Sequence, residues 1–444
     1  MIGERGNKPF FPNVEKKQAT PAEWITERAS ELLPEMKAWY GDIHMNPELG
    51  GEEFDTAKMV KKFLDEQGIE IVEENIGETG IIGIIRGREN GPTVALRADM
   101  DALPVQEDKN NPICSCRDGV MHACGHDAHT SGLMGAAKIL KEMANAGTLE
   151  GNIVLLFQPS EEKAHQKESG AVKMVRALER NGLRENIDAF FGLHVYRDAE
   201  RGIVQVKDGV MLASSGEIDI VLRGPGGHIV NAYDAPNLHR IFSEITLKLS
   251  EIFEPLKKNE EALVASAQTT YHGGAYNVLP SSGDSTWVIR IASPEFKEIS
   301  KDVNAKIRNI VAEIVQRHTT DSASSVEVSY KARPGYRPVI HRNPKMVEDA
   351  RSVAKSVVQN CELTEKGLLG GEDFSFYLEN LRGKEIPGVF MMIGAANPEK
   401  GIPLGNHHAP DFRIDTDVLE ELTSLHVAFS LETMRRLKKE RGVE

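Results

Sequence analysis

Apolar and polar positions along the chain change their period several times, and each change predicts a helix or a strand. Residues 21–38 and 52–67 have apolar side chains at helical spacing, and Gly68 is suited to end the second helix. Strands that alternate with helices are typical of a layered α/β domain with a largely parallel sheet. In the first half of the chain we predict helices at 21–38, 52–67, 128–146 and 169–182, and strands at 69–75, 80–87, 93–98, 151–158 and 188–196.

The pattern changes near Ser215, where six elements follow one another closely. Their predicted order is β-α-β-β-α-β, the ferredoxin-like arrangement, at 217–223, 235–257, 263–271, 285–292, 295–318 and 325–331. Helix 344–358, strand 388–394 and helix 416–437 then return to the first pattern. We therefore predict a layered, largely parallel α/β domain built from residues 1–212 and 336–444, with a ferredoxin-like α+β domain inserted at 213–335.

Composition and charge narrow the class of protein. The 444 residues exceed what one core usually organises, and no apolar run approaches the ~20 residues that span a bilayer. The run from Met1 to Pro9 has no apolar segment of the kind found in secretory signals, and four cysteines fit a reducing compartment. A cytoplasmic location is therefore expected. A net charge of -14 argues against nucleic acids and anionic membranes as partners.

Residues 121–129 read Met-His-Ala-Cys-Gly-His-Asp-Ala-His and concentrate metal-binding side chains in a chain with 14 His and 4 Cys. Cys124 and His126 are two positions apart, so both side chains can face one point on an extended or turning backbone. Thiolate and neutral imidazole suit zinc and its transition-metal neighbours. The alternative interpretation is a buried cysteine beside solvated histidines. By itself, this run suggests a metal site without establishing one.

Three further segments supply additional donors. Glu161 and Glu162 follow a predicted buried strand that Pro159 ends, which places them at the carboxyl end of the strand, where open α/β sheets form their sites. His194 lies near the end of another apolar strand, and a polar loop at 405–410 contains His408. Each has a simpler alternative: a Glu-Glu pair is usually solvated, and a lone His in a strand is usually a hydrogen-bonded core residue. Together these segments offer five candidate ligands for two metals, Cys124, His126, Glu162, His194 and His408, and Glu161 remains beside them as a carboxylate that binds neither metal.

Motifs along nearly the whole chain resemble those of a known family. The most specific are His-Ala-Cys-Gly-His-Asp at 122–127 and Pro-Ser-Glu-Glu at 159–162, and others occur in the expected order at 42–50, 96–104, 192–194, 226–228, 277–280 and 371–374. The chain resembles the metal-dependent amidohydrolase branch of the aminoacylase/carboxypeptidase family of metallopeptidases. Hippurate hydrolases, indoleacetyl-amino-acid hydrolases and p-aminobenzoyl-glutamate hydrolases belong to this branch.

The resemblance implies roles for the residues at the metal site. Glu161 matches the general base and Glu162 a metal ligand, and the other four candidate ligands match as well. The bound metals would be two divalent ions, Zn²⁺ or Mn²⁺, with Co²⁺ or Ni²⁺ also accepted by this ligand set. The chain departs from the wider family at 97–99, where Arg-Ala-Asp replaces His-x-Asp. His126 then takes the place of the missing ligand, and Asp99 orients a ligand or the base without binding the metal.

The inserted domain is expected to complete the site. The resemblance implies that His228 stabilises the developing oxyanion from the partner of a homodimer, so that 213–335 is a dimerisation domain. Asn277 and Arg290 resemble the pair that holds a substrate's free carboxylate; for Arg290, a solvated strand residue is the alternative. After His228, Ala232 and Tyr233 replace the family's usual Pro-His. We expect the remaining nearby histidines not to be ligands: His122, His129 and His407.

The predicted activity is metal-dependent hydrolysis of the amide bond of N-acyl- or N-aroyl-amino acids. Carboxypeptidase or dipeptidase activity on short peptides is the alternative, because both substrate classes present an amide beside a free carboxylate. Two other classes fit the residues less well. A non-catalytic binding module would lack the base or a ligand, and a structural zinc site would leave no spare carboxylate such as Glu161.

Overall fold

The computed structural model describes residues 20–88, 90–163, 169–258, 262–273, 275–319, 325–379 and 385–442. The run from Met1 to Pro9, which bears on the expected location, lies outside them. The chain divides into two compact units. Unit 1 comprises the described residues of Met1–Gly209, His341–Lys366 and Phe376–Glu444, and unit 2 those of Val210–Ile340 and Gly367–Ser375. The boundary predicted from the sequence assigns Gly367–Ser375 instead to the domain that corresponds to unit 1.

The elements up to residue 205 are helices and strands of unit 1. Helix α1 begins at a capping box, in which the Oγ1 of Thr20 accepts from the N–H of Glu23 and the Glu23 carboxylate accepts from the N–H of Thr20. The elements are α1 (Pro21–Met45), α2 (Phe54–Glu66), β1 (Glu70–Ile76), β2 (Gly80–Ile85), β3 (Thr93–Asp99), α3 (His126–Asn145), β4 (Asn152–Gln158), α4 (Gly170–Arg180), β5 (Ala189–Glu200) and β6 (Ile203–Gln205).

Unit 2 contains the elements that follow. They are β7 (Gly209–Leu212, its first residue in unit 1), β8 (Ser214–Arg223), β9 (Gly227–His228), α5 (Leu238–Lys258), β10 (Ala262–His272), β11 (Val278–Leu279), β12 (Ser282–Ile291), α6 (Phe296–Thr319), β13 (Glu327–Pro334) and β14 (Val339–His341, its last residue in unit 1). Four strands form an antiparallel sheet in the order β10-β12-β8-β13. This order, with α5 and α6 as the two helices, confirms the predicted ferredoxin-like arrangement.

The last elements return mostly to unit 1. They are α7 (Pro344–Val357), β15 (Glu362–Thr364), α8 (Ser375–Leu378), β16 (Gly388–Ala396) and α9 (Val418–Glu440). Helices α1, α3, α7 and α9 pack against one another, and their buried faces belong to the same apolar core as the central strands. Among the described residues, no helix combines the length and apolar character needed to cross a membrane.

The sheet of unit 1 has eight strands in the order β1-β2-β4-β3-β5-β16-β6-β15. Its central strands β4, β3, β5 and β16 run parallel, whereas β1-β2, β2-β4 and β16-β6 are antiparallel pairs. Strands β3 and β4 are buried along almost their whole length, as the continuous apolar runs predicted. The predicted layered α/β fold is confirmed.

Several boundaries differ from the prediction for physical reasons. Helix α1 continues to Met45 rather than ending at 38, because Tyr40 and Ile43 are also buried and the polar side chain of His44 is buried in ion pairs with Asp127 and Glu107. The buried His44 does not belong to an apolar period. The strands β6, β7, β9, β11, β14 and β15 were not predicted, since two to four residues are too few to display a period.

Candidate metal centre and active site

The candidate ligands of unit 1 lie where the parallel strands end. In the register of the sheet, Asp99 at the end of β3 is level with Gln158 at the end of β4. Because carboxyl ends of neighbouring parallel strands meet at one edge, the loop with Glu161 and Glu162 begins beside Asp99. Strand β5 brings His194 to this edge as well. Its Gly192 pairs with Arg97, and His194 and Asp99 each follow two residues after that pair.

Helix α3 begins at His126, directly after a turn that only glycine fits. Gly125 has φ 94°, and a Cβ atom there would lie 2.3 Å from Cγ2 of Val195. The turn separates Cys124 from His126 and lets both side chains face the same point. His408, also at positive φ (61°), is held in its loop by a hydrogen bond from its N–H to the carbonyl of Ala123.

The structure brings all five predicted ligands and Glu161 together. The Sγ atom of Cys124 lies 3.3 Å from Nε2 of His194, and Oε1 of Glu162 lies 3.2 Å from Nε2 of His408. The donor atoms of these six residues alone form three overlapping groups, each within 4.8 Å: Cys124 with His126 and His194, Cys124 with Glu162 and His408, and His126 with Glu161 and Glu162.

Hydrogen bonds orient the imidazoles so that one nitrogen of each faces this cluster. The Nδ1 atom of His126 lies 2.8 Å from the carbonyl oxygen of Asp101, to which it donates, and its Nε2 is buried with no hydrogen-bond partner among the described residues. The Nδ1 of His194 similarly lies 2.6 Å from the carbonyl oxygen of Val195. The Nε2 atom of each ring is therefore the one directed into the cluster, where a metal would take its lone pair in place of a proton.

Two of the histidines excluded as ligands use their ring nitrogens elsewhere. His129 accepts a hydrogen bond at Nε2 from the N–H of Val195 (2.9 Å), while its Nδ1 lies 2.6 Å from Oδ1 of Asp99. His407 accepts at Nε2 from the N–H of Arg197 and points its Nδ1 toward Sγ of Cys124 at 3.9 Å. Neither arrangement leaves a lone pair for a metal.

The third excluded histidine, His122, is buried rather than solvent-facing. Neither of its ring nitrogens has a hydrogen-bond partner among the described residues. Burial lowers the pKa of His122 to about 4, so its imidazole is neutral. Nothing in the structure explains why a histidine occupies this position.

Asp99 is held as an ion pair inside unit 1. Its Oδ2 lies 2.5 Å from Nη1 of Arg97, the residue that stands where the wider family has a histidine. Burial opposes ionisation of Asp99, but the charge of Arg97 outweighs it and keeps the pKa well below its ordinary value. Asp99 Oδ2 is 3.7 Å from Nε2 of His126 and Oδ1 is bonded to His129, so the carboxylate borders the ligand cluster.

The charges of the cluster fit a bound cation. Burial opposes protonation of His126, but the negative charges of Asp99, Asp101 and Glu162 outweigh it and raise its pKa to about 10. Burial, together with the nearby carboxylates of Glu162 and Glu161, also raises the pKa of the Cys124 thiol well above its ordinary value. Without metal, the Cys124 thiol and the His126 imidazole therefore hold protons that divalent ions would replace.

Two buried carboxylates beside the cluster, Asp101 and Glu53, have no role in the site predicted from the sequence. Asp101 accepts hydrogen bonds from the N–H groups of Glu161 and Glu162, and Glu53 accepts one from the N–H of Ser160. In the sequence, the position of Asp101 just beyond the end of a parallel strand could have indicated a role at the site. Nothing in the sequence indicates such a role for Glu53, because it precedes an amphipathic helix and resembles a solvated residue.

In unit 2, the structure brings two of the three predicted residues together. Strands β9 and β11 pair with Val278 opposite His228, and the N–H of Ile229 donates to the carbonyl of Asn277 at 2.9 Å. The His228 side chain is exposed, and its Nδ1 accepts from the N–H of Val230 at 3.3 Å. Asn277 is half-buried.

Arg290 lies at the other end of this unit's sheet. Strand β12 begins at Ser282, level with Arg223, and reaches Arg290 level with Ser215. Eight residues of extended strand span about 26 Å. A single chain therefore does not place Arg290 beside Asn277, although the two were expected to act as a pair.

Comparison with known proteins agrees with this site. Residues 95–432 match the model of peptidase family M20/M25/M40. The chain is 32% identical over 399 residues to IAA-amino acid hydrolase ILR1-like 4 of Arabidopsis thaliana, covering 89% of this chain and 85% of the relative. It is 31% identical to thermostable carboxypeptidase 2 of Saccharolobus solfataricus, covering 92% of this chain and 98% of that protein.

A solved structure with the same fold is the YXEP protein of Bacillus subtilis, described as a dinuclear metal binding peptidase from the M20 family. The TM-score is 0.70 at 27% identity, over 91% of this chain and 99% of that one. These matches confirm the resemblance inferred from the motifs. The chain therefore belongs to peptidase family M20/M25/M40, as a metal-dependent amidohydrolase or peptidase.

Proposed function

We propose that the protein hydrolyses the amide bond between an acyl or aroyl group and an amino acid with a free carboxylate, and that Glu161 is the general base. The observation that carries the proposal is the buried Glu161 carboxylate beside His126 and Glu162, with donor atoms of the three within 4.8 Å. The likeness to an IAA-amino acid hydrolase supports this substrate class.

Five residues would hold two divalent ions: Cys124, His126, Glu162, His194 and His408. When bound, such ions lower the pKa of a water and polarise the carbonyl oxygen of the amide. We propose Zn²⁺ or Mn²⁺ as the ions, with Co²⁺ or Ni²⁺ compatible with the same donors. The likeness to a protein described as dinuclear metal binding supports two ions rather than one.

The proton transfers fall to Glu161. A carboxylate next to the nucleophilic water takes its proton as the water attacks the amide carbon, and then delivers that proton to the amine nitrogen as the C–N bond breaks. Glu161 is 5% exposed, so bulk water is largely kept from its carboxylate. Asp99 has no contact with substrate in this proposal. It orients the site through its hydrogen bond with His129 and its position beside the ligand cluster.

We further propose that the protein is a homodimer in which the inserted domain at about 213–335, which lies within unit 2, forms the contact and His228 reaches the partner's site. Large apolar side chains are exposed around His228: Ile229, Val230, Tyr233, Tyr276 and Val278. An exposed group of this kind marks an interaction site. A two-fold contact would supply His228 and Asn277 to both sites at once, and the separation of Arg290 from Asn277 within one chain suits a shared carboxylate-binding site.

The free thiols of the four cysteines support a reducing, cytoplasmic location.

Carboxypeptidase or dipeptidase activity is the second candidate, favoured by the likeness to a thermostable carboxypeptidase. A substrate panel separates the two. Purified protein loaded with Zn²⁺ or Mn²⁺ is assayed on hippurate and other N-acyl amino acids, on dipeptides with a free amine, and on each substrate with its carboxylate amidated.

We expect turnover of the N-acyl amino acids, little turnover of free-amine dipeptides, and none of the amidated forms. Faster turnover of the dipeptides would favour the second candidate. Absence of turnover on both classes with metal bound would overturn the proposed function.

A further inference from the structure

Both carboxylate oxygens of Asp101 accept hydrogen bonds from the turn at 160–162, which carries Glu161 and Glu162. Asp101 lies two residues beyond the end of β3 and is 1% exposed. The N–H of Glu161 donates to Oδ1 at 3.0 Å, and the N–H of Glu162 donates to Oδ2 at 2.9 Å. One buried side chain thus fixes the backbone of the general base and of a metal ligand together.

The same residue also orients a third member of the site. His126 places its Nδ1 2.8 Å from the carbonyl oxygen of Asp101 and 3.3 Å from its Oδ1. The ring can then offer only Nε2 to the ligand cluster. Asp101 therefore connects the end of β3, the start of α3 and the loop after β4.

The turn that Asp101 holds is tightly packed on its other side. Ser160 has φ 52°, a conformation unfavourable for a residue with a Cβ, and its N–H donates to Oε1 of the buried Glu53 at 2.8 Å. A Cβ on Gly50 would lie 3.0 Å from both Oδ2 of Asp101 and Cα of Ser160. The successive backbone N–H groups of residues 160–162 thus donate to two buried carboxylates, those of Glu53 and Asp101.

We propose that Asp101 is a positioning residue that sets which way Glu161 and Glu162 point and fixes His126 beside them; this inference rests on the proposed function. Two converging N–H donors require two acceptor oxygens, which a carboxylate provides. An amide of the same shape would turn an NH₂ group toward one N–H, leaving two donors facing each other. The turn would then shift and carry both glutamates with it.

Asp101→Asn in the full-length protein tests this, because it keeps the shape of the side chain and removes one acceptor. We expect metal affinity, measured by chelator competition on the protein, to fall about tenfold or more, as when a group that orients a ligand is lost. With metal saturating, we expect kcat to fall about 10- to 100-fold with little change in KM. The visible absorption of the Co²⁺-loaded protein should change too, because it reports the geometry of the ligands.

Glu48→Gln is the matched control. Glu48 is also buried and accepts two successive backbone N–H groups, from Asp55 and Thr56, one on each oxygen, at the start of α2. We expect it to lower thermal stability while leaving metal affinity, the Co²⁺ spectrum and kcat unchanged. If Asp101→Asn behaves like this control in all three measurements, Asp101 is only structural and the inference is wrong.

Two further measurements keep the test decisive. If Asp101→Asn does not fold, Asp101→Glu replaces it, since glutamate retains the charge but moves the acceptor oxygens. Glu53→Gln tests the other hydrogen bond of the turn, the one from the N–H of Ser160. The same losses in these variants support the inference, and their absence overturns it. If the wild-type protein binds metal but hydrolyses no substrate, the proposed function fails, whereas metal affinity and the Co²⁺ spectrum still decide the role of Asp101.

Discussion

The sulfur of Cys124 lies 3.3 Å from Nε2 of His194, although the two residues are 70 positions apart in the chain. Two such ligands on one tetrahedral zinc ion would be separated by about 3.6 Å, given bond lengths of about 2.3 and 2.0–2.1 Å. The fold therefore holds the two donors near the spacing that an ion would require. His126 forms one donor group with this pair, and Glu162 and His408 form another with Cys124.

We expect Cys124→Ser and His194→Ala each to lower metal affinity about tenfold or more, because each removes a ligand. Chelator treatment of the wild type should abolish activity, and added Mn²⁺, Zn²⁺ or Co²⁺ should restore it. Metal content and competition with a chelator provide the measurement. Cys116→Ser is the control, since Cys116 is exposed and belongs to none of the donor groups. Full metal content in both ligand variants would show that the assignment is wrong.

Glu161→Gln should reduce kcat about 10²- to 10⁴-fold, the usual contribution of a positioned acid/base, and leave metal content intact. Glu162→Gln should instead lower metal content, because its oxygen lies beside His408 in the ligand group. Initial rates on N-acyl amino acids and metal analysis of both proteins distinguish the two roles. Near wild-type rates for Glu161→Gln would rule out its role as the base.

The stability of unit 1 should depend on pH through His44. Burial opposes protonation of His44, but its hydrogen bonds to Asp127 and Glu107 outweigh it and raise its pKa from 6.5 to about 10. The stabilisation by the charged imidazole is therefore complete below pH 6.5 and is lost as the pH rises toward 10. We expect His44→Gln to cost about 3–5 kcal/mol near pH 6, because it leaves buried carboxylates unpaired.

Denaturant unfolding of the metal-free protein at pH 6 and pH 9.5 measures this effect. The wild type should lose more unfolding free energy between the two pH values than His44→Gln. His426→Gln is the control: burial lowers the pKa of His426 to about 3, so this residue is neutral throughout the range. Equal losses in the wild type and His44→Gln would contradict the prediction.

His228→Ala and Glu161→Gln proteins should each be inactive alone and regain activity when their subunits exchange. If His228 acts on the partner, a mixed dimer has one site with both defects and one with neither. Random exchange would then restore about a quarter of the wild-type rate, since half the dimers are mixed and half their sites are intact. Exchange is followed by mass spectrometry of differently tagged chains. If the subunits exchange and no activity returns, His228 acts in the active site of its own chain or has no part in catalysis.

Much of unit 1 could be predicted because its signals are local. The apolar runs of β3 and β4 are buried on both faces, which is typical of parallel sheets, and parallel pairing of the two strands brings their carboxyl ends to one edge. The thiol, imidazoles and carboxylates at those ends have few other reasons to be concentrated there. Cys124, Glu162 and His194 could therefore be proposed as ligands from the sequence.

The choice between neighbouring donors could not be read in the same way. His126 and His129 begin the same helix and both approach Asp99, yet only the Nε2 of His126 is left without a hydrogen-bond partner among the described residues, because the N–H of Val195 occupies Nε2 of His129. Val195 is 66 residues away, so this hydrogen bond has no trace in the local sequence. Asp101 is a similar case, since its role depends on N–H groups 60 residues later.

The sequence alone thus determined the fold class, the family and the types of donor, because burial periods and side-chain chemistry are properties of short segments. Tertiary structure decided which lone pairs and backbone N–H groups meet, and it separated Arg290 from Asn277 by the length of a strand. Such pairings depend on the register between distant strands, where a shift of one residue redirects every side chain. That register follows from the packing of the whole unit.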